Sequence, residues 1–230
     1  MKSTLFFIVF SLYLLSCSPV KSQENFTHVD DIYGLNPELY SGRVYTDFYN
    51  TKIKGHQFLK SPSFSTGSLV INELNFENQQ LNYDIFKQKL LLSFTNYSQA
   101  HRIIEIPLSK VYSFSLSNKQ FRILKMHDST LKIFQVIGDS TFNILIFWRK
   151  NINTTTSTSV YDYKFSETKR EIWLIRNKEY KQVNSNKALV KLFTKEQSQK
   201  VKKWIKAQKF RVKKASDQQL EELSKFLYAL

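Results

Sequence analysis

The stretch HRIIEIPLSKVYSFSLSNKQFRILK, His101 to Lys125, decides how this chain folds. Its apolar residues recur at every second position: Ile104, Ile106 and Leu108, then Tyr112, Phe114 and Leu116, then Phe121 and Ile123. A period of two sends alternate side chains to opposite faces of an extended backbone, so each run predicts a strand with one buried face. Ser117-Asn118-Lys119 breaks the alternation with residue types that favour turns. Strands joined by so short a break run antiparallel.

The same period extends in both directions. Upstream, Leu69 and Ile71, with Glu73, share one face, and Val70, Asn72 and Leu74 share the other. Leu81 and Tyr83 alternate with Asn82 and Asp84, and the polar Lys87-Gln88 marks a hairpin turn before Lys89 to Phe94. Downstream come Leu131, Ile133 and Phe134, then Gly138-Asp139-Ser140, then Phe142 to Trp148, a run apolar on both faces. Such a run predicts a central strand covered on both sides. Tyr161, Tyr163 and Phe165, followed by Ile172 to Ile175, complete the series, and Asn151 to Ser159 (NINTTTSTS) reads as a hairpin loop. Strands at a spacing of about ten residues, with no helices between them, predict an antiparallel meander forming a barrel or a sandwich.

Near Asn186 the period becomes helical. Ala188, Leu189, Leu192 and Phe193 suit a short helix, and the Thr194 hydroxyl is placed to cap the next one. There Val201, Trp204, Ile205 and Gln208 fall on one stripe, with Lys200, Lys202, Lys203 and Lys206 on the remaining surface. Ser216 and Gln219 have capping-box spacing and precede the stripe of Leu220, Leu223, Phe226 and Leu227. The fold class is therefore mainly β with C-terminal helices (α+β), the meander covered by a helical hairpin. Residues 23–66, rich in aromatics and turn signals, form an irregular segment; 67–183 form the antiparallel β domain; 184–230 form a basic helical tail packed on it.

The first residues read as an export signal. Met1-Lys2 precedes an apolar run from Leu5 to Leu15, too short for the roughly 20 residues of a membrane-spanning helix. Two cleavage readings stand side by side. Val20-Lys21-Ser22 before Gln23 suits a signal peptidase that removes residues 1–22. Leu14-Leu15-Ser16-Cys17 resembles a lipobox, with a signal of residues 1–16 and Cys17 as the lipidated residue. Cys17 is the sole cysteine, so no disulfide framework is available and the fold must rest on its core.

The full chain carries a formal charge of +15 from 34 Lys/Arg and 19 Asp/Glu; loss of Lys2 and Lys21 with the signal leaves +13. The excess is localised, since Lys187 to Lys214 holds eleven Lys/Arg against Glu196 alone. Nucleic acid would attract such a tail, but an exported chain rarely meets any, and none is expected as a partner. An anionic envelope surface would attract it equally, and Lys200, Lys202, Lys203 and Lys206 are the candidate contacts. The plainer reading puts Trp204 in the core and the lysines in water.

Catalytic chemistry finds little purchase. No nucleophile elbow, zinc-protease helix, phosphate-binding loop or dinucleotide fingerprint occurs, and five glycines leave little material for phosphate cradles. None of His28, His56, His101 and His127 has a second His or Cys at a metal-ligand spacing, and His28 with Asp30 and Asp31 reads as a solvated loop. Glu73 and Asp84 form the one carboxylate pair that neighbouring strands would bring together for glycoside chemistry; acids at turns and strand edges are the commoner explanation. No catalytic, cofactor-binding or metal-ligating residue is assigned.

Several stretches resemble a group of uncharacterised exported proteins of the Bacteroidota. They are Gly67-Ser68-Leu69-Val70, Leu81-Asn82-Tyr83-Asp84, Lys89 to Leu92, Val111-Tyr112-Ser113-Phe114 before Phe121, and Lys191-Leu192-Phe193 through Ile205-Lys206 to Leu223-Ser224-Lys225-Phe226. The resemblance implies a signal peptide, a β-rich body and terminal helices across most of residues 40–230, and a mature start at Gln23 suits that group. It implies no activity. The functional expectation is an exported envelope protein, periplasmic or associated with the outer membrane, with no transmembrane span in the mature chain. It acts as a non-enzymatic binding or structural component. The alternatives are a carrier of a lipid or other apolar ligand in a helix-closed half-barrel, and a hydrolase with an unrecognised site.

Overall fold

The computed structural model describes residues 35–46, 53–96, 98–138, 144–154, 163–176 and 179–230. The chain divides into two compact units, Met1–Asn36 and Pro37–Leu230, and all the described elements belong to the second. It opens with a one-turn helix, α1 (Pro37–Tyr40), and two very short strands, β1 (Arg43–Val44) and β2 (Ile53–Lys54). The period-two region forms β3 (Ser65–Ile71), β4 (Leu74–Asp84), β5 (Lys89–Thr95), β6 (His101–Ile106), β7 (Val111–Leu116), β8 (Lys119–Lys125), β9 (Leu131–Ile137) and β10 (Ile144–Arg149). After β11 (Ile152–Thr154), β12 (Tyr163–Phe165), β13 (Lys169–Arg176) and β14 (Glu179–Val183) come α2 (Asn186–Val190), α3 (Lys195–Ala207), a 3₁₀ turn (Val212–Lys214) and α4 (Asp217–Tyr228).

Eleven strands make one antiparallel sheet in the order β1-β6-β5-β4-β3-β7-β8-β9-β10-β13-β14, and β11-β12-β2 form a small second sheet. The large sheet is open, with β1 and β14 at its edges, and is not a closed barrel. Its shape follows from one connection. β6 and β7 run in the same direction with β5, β4 and β3 between them, so in a flat sheet the end of β6 and the start of β7 would lie at opposite ends. Four strand spacings of about 4.8 Å, roughly 19 Å, already exceed the full reach, about 18 Å, of the link Pro107–Lys110. The link is not extended: Lys110 N–H donates to the Pro107 carbonyl at 3.1 Å and Val111 N–H to the Leu108 carbonyl at 3.3 Å. The sheet must therefore fold over on itself.

Strand β3 is the corner. Its register shifts between Gly67 and Leu69 against β4, and between Val70 and Ile71 against β7. Such bulges bend a strand and let one sheet turn into two facing layers. Ser68 is held at the bend, its N–H donating to the Ser115 hydroxyl at 3.0 Å. The inner faces of the two layers then meet: Leu90, Leu92, Ile104 and Ile106 from one share a cluster with Phe114, Leu116, Phe121 and Ile133 from the other. Tyr83, Phe114 and Phe121 fill its centre, with Phe114 stacked on Phe121 at 4.6 Å and Tyr83 edge-on to Phe121 at 5.8 Å. Leu39 of α1 closes one end of this interior.

The helices cover the other half. Ile144, Ile146, Ile172, Leu174 and Val183 project from one face of β10, β13 and β14 against Leu189, Val201, Leu220, Leu223 and Leu227. Each wholly buried aliphatic side chain contributes about 1.5–3 kcal/mol. The caps are those the sequence predicts: Thr194 accepts from Gln197 N–H, and Ser216 and Gln219 form a reciprocal capping box. Three differences stand out. Asn72 and Glu73 form a two-residue hairpin turn with φ of +44° and +69°, so the strand stops at Ile71. β4 begins at Leu74, through the polar Asn75 to Gln80. β11 uses Ile152 to Thr154, the start of the stretch read as a loop.

Gly67 sits where β4 and β7 both crowd β3. A Cβ there would lie 2.2 Å from the Ser115 carbonyl oxygen. Gly67→Ala is expected to cost about 2 kcal/mol or more. Urea unfolding should show the loss as a lower midpoint; an unchanged midpoint would remove the corner argument.

Candidate functional site

A line of polar contacts crosses from the folded-over half of the sheet to the helices. The Tyr83 hydroxyl, deep in the first cluster, donates to Gln88 Oε1 at 2.6 Å. Gln88 Nε2 donates to the carbonyl of Trp148 at 2.8 Å, and the Trp148 indole N–H donates to Gln135 Oε1 at 2.9 Å. Gln135 Nε2 completes the line on Asp217 Oδ2 at 2.9 Å. Trp148 packs against both apolar clusters, so its indole joins them. Gln135, only 2% exposed, occupies an inward strand position between Ile133 and Ile137. An amide buried there without partners would be costly, and this one has its oxygen and nitrogen both engaged.

Asp217 anchors the end of that line. It opens α4, where a carboxylate meets the positive end of the helix dipole. Lys119 Nζ is in direct contact with its carboxylate, and Arg170 lies 4.0 Å away while also bonding the Ala215 carbonyl. Burial pushes the Asp217 carboxyl up, but the bonds from Lys119 and Gln135 and the charges of Lys119 and Arg170 more than offset it. Its net position is below the ordinary carboxylate value. Burial drives the Tyr83 phenol well above its usual range, so it stays a neutral donor.

Beside this anchor, α4 and strands β7–β9 enclose an open cleft of about 830 Å³. Its lining mixes signs, with Lys119, Arg122 and Lys225 against Asp217 and Glu221. Tyr112 and Tyr228 also line it and are 61% and 64% exposed. Sequence reasoning missed this place. The legible signal was a glutamine at an inward position of β9; the Lys119–Asp217 pair joins residues 98 positions apart and leaves no local trace.

The predicted surface residues are on α3. Lys200, Lys202, Lys203 and Lys206 are exposed on its outer side. Trp204 does not join them: its ring stacks on Phe226 at 5.2 Å and tilts against Phe210 at 5.4 Å, within the second cluster. The segment read as an export signal, Cys17, His28, Asp30 and Asp31 lie outside the described residues.

The remaining candidates do not assemble. Glu73 and Asp84 stand at opposite ends of β4 and its turn, so they form no carboxylate pair. Asp84 is a structural acceptor: Oδ1 takes the N–H groups of Phe86 and Lys87 at 2.9 and 2.8 Å, and Oδ2 takes the Tyr45 hydroxyl at 2.9 Å. Burial nevertheless raises its carboxyl above the ordinary value. Lys150 Nζ donates to the His56 carbonyl at 2.8 Å, and burial, then the Lys150 charge, lowers the imidazole. His101 pairs with the Ser93 hydroxyl at 2.7 Å, and His127 lies in the exposed β8–β9 turn. Among the described residues no group of three or more His, Cys, Asp or Glu side chains is placed to hold a metal. No helix among them is long and apolar enough to cross a membrane.

Buried Asp84 and half-buried Asp217 predict opposite pH behaviour. Asp217, lowered in the fold, contributes stability that is present at neutral pH and is lost as pH falls from about 4 through its folded value. Asp217→Asn should therefore be destabilising at pH 7, by about 1 kcal/mol since water screens this half-exposed pair, and progressively less so in acid. Asp84, raised in the fold, favours the native state most when protonated, so the stability of Asp84→Asn relative to the parent should grow as pH rises from about 4. Denaturant titrations of both variants between pH 3 and 7 check the signs, and parallel profiles would contradict them. In comparisons with known proteins the chain matches no family model, and no curated protein or solved structure is significantly similar to it.

Proposed function

We propose that this is an exported, non-enzymatic component of the cell envelope that attaches to an anionic envelope surface through the outer face of α3. The observation that carries the reading is how that helix divides. Its apolar stripe, Trp204 included, is used up in the core, leaving a lysine face turned to water. Lys200 has Glu196 at 3.8 Å, and Lys202, Lys203 and Lys206 have no ion pair among the described residues. With no free aromatic anchor on this helix, attachment is electrostatic and shallow. The export signal and the likeness to exported Bacteroidota proteins supply the compartment, periplasmic or outer-membrane associated, with Cys17 as the tether if the lipobox is used. A carrier of an apolar ligand would need a vacant interior, and Tyr83, Phe114 and Phe121 occupy the centre of this one. A hydrolase would need clustered acid, base and nucleophile, and the described histidines each sit in separate surroundings.

Sedimentation with vesicles of 30% anionic lipid tests the attachment. At about 1 kcal/mol per lysine near such a surface, replacing Lys200, Lys202, Lys203 and Lys206 by glutamine should weaken binding more than tenfold, and raised salt should mimic the change. Binding indifferent to both would defeat the proposal. Mass spectrometry of the native N-terminus tests the address: a Gln23 start or an acylated Cys17 supports export, and an intact Met1 in the cytosol opposes it.

A further inference from the structure

The cleft between α4 and β7–β9 has features that the fold does not require. Tyr112 is the unpaired residue of the β3–β7 bulge, since Val70 pairs with Ser113 and Ile71 with Val111. Bulges re-aim side chains, and this one leaves a large ring 61% exposed at the cleft. The Arg122 guanidinium lies over the ring, 5.9 Å from its centre. On the α4 side stands Tyr228, 64% exposed. A tyrosine offers a flat apolar face and a polar tip, and two of them at one cleft form stacking platforms with no partner in the core.

The chemistry between the platforms is polar and carries both signs. Lys119 and Asp217 pair, Glu221 and Lys225 carry opposite signs one turn apart on α4, and Arg122, near the Tyr112 ring, has no ion pair among the described residues. The Asn118 and Gln120 amides and the Ser113 hydroxyl also line the cleft and make no side-chain hydrogen bond among the described residues. The volume, about 830 Å³, falls in the range of small-molecule sites. A ligand matched to it has apolar faces to stack and many hydroxyl or amide groups to hydrogen-bond to amides, hydroxyls and paired charges.

We propose that this cleft binds a neutral oligosaccharide, with Tyr112 and Tyr228 stacking on sugar faces. This site is separate from the lysine face of α3.

Titration calorimetry and nuclear magnetic resonance shifts with maltotriose, cellotriose, mannotriose and triacetylchitotriose test it. Saturable binding of at least one is expected, weakened about fivefold or more by Tyr112→Ala and by Tyr228→Ala and largely retained by Tyr112→Phe. Both positions are exposed, so the variants should keep the parent's unfolding midpoint. The glutamine variant of the four α3 lysines should bind the sugar as the parent does, which separates failure here from failure of surface attachment. The proposal is overturned if none of the four sugars binds saturably, or if neither alanine variant weakens binding.

Discussion

Strand β6 must hand the chain to β7 within the four residues Pro107–Lys110, although three strands separate the two in the sheet. Everything else in the β region accommodates that demand. β3 supplies the corner by carrying a register shift on each side, and Gly67 lets it approach β7 with no side chain in the way. Once the sheet is folded over, inward residues of both layers exclude water from one interior. The bend and the burial therefore depend on each other.

The second half has a different solution to the same problem. β10, β13 and β14 have no facing sheet layer on their apolar side, and the terminal helices supply the missing one. The halves are joined by the Trp148 indole and by a line of hydrogen bonds that begins at Tyr83 and ends on Asp217. Each member is already engaged, which makes the line directional: a shift of α4 along the sheet would strand Gln135 in an apolar layer. Polar groups of this kind contribute less to total stability than to selecting one docking position for the helix.

Much of this was readable from the chain because the relevant forces are local. The alternation through His101 to Lys125 gave strands and turns close to those observed, and the Thr194 and Ser216 caps rest on side chains reaching backbone three residues away. Legibility fails where partners are distant or burial is slight. Asn72 and Glu73 extend an apparent alternation, so nothing in their pattern announces a turn. β14, with only Tyr180 and Val183 to suggest a strand, is an edge and needs little apolar surface. The fold-over itself depends on contact between Gly67 and Ser115, which no window of sequence contains. In the cleft, Tyr112 looked like one more member of an alternating run, and only the register against β3 reveals it as an extra residue.

The placement of the helices has a consequence for how the molecule comes into being. Leu220, Leu223 and Leu227, which cover the β10–β13 face, lie downstream in the chain of every strand they cover. Until they arrive, Ile144, Ile146, Ile172 and Leu174 face solvent as an adhesive strip. The covering of that face thereby waits on residues made after its strands, and a premature stop codon just after β14 would yield a product inclined to clump and not merely a shorter version of the same molecule.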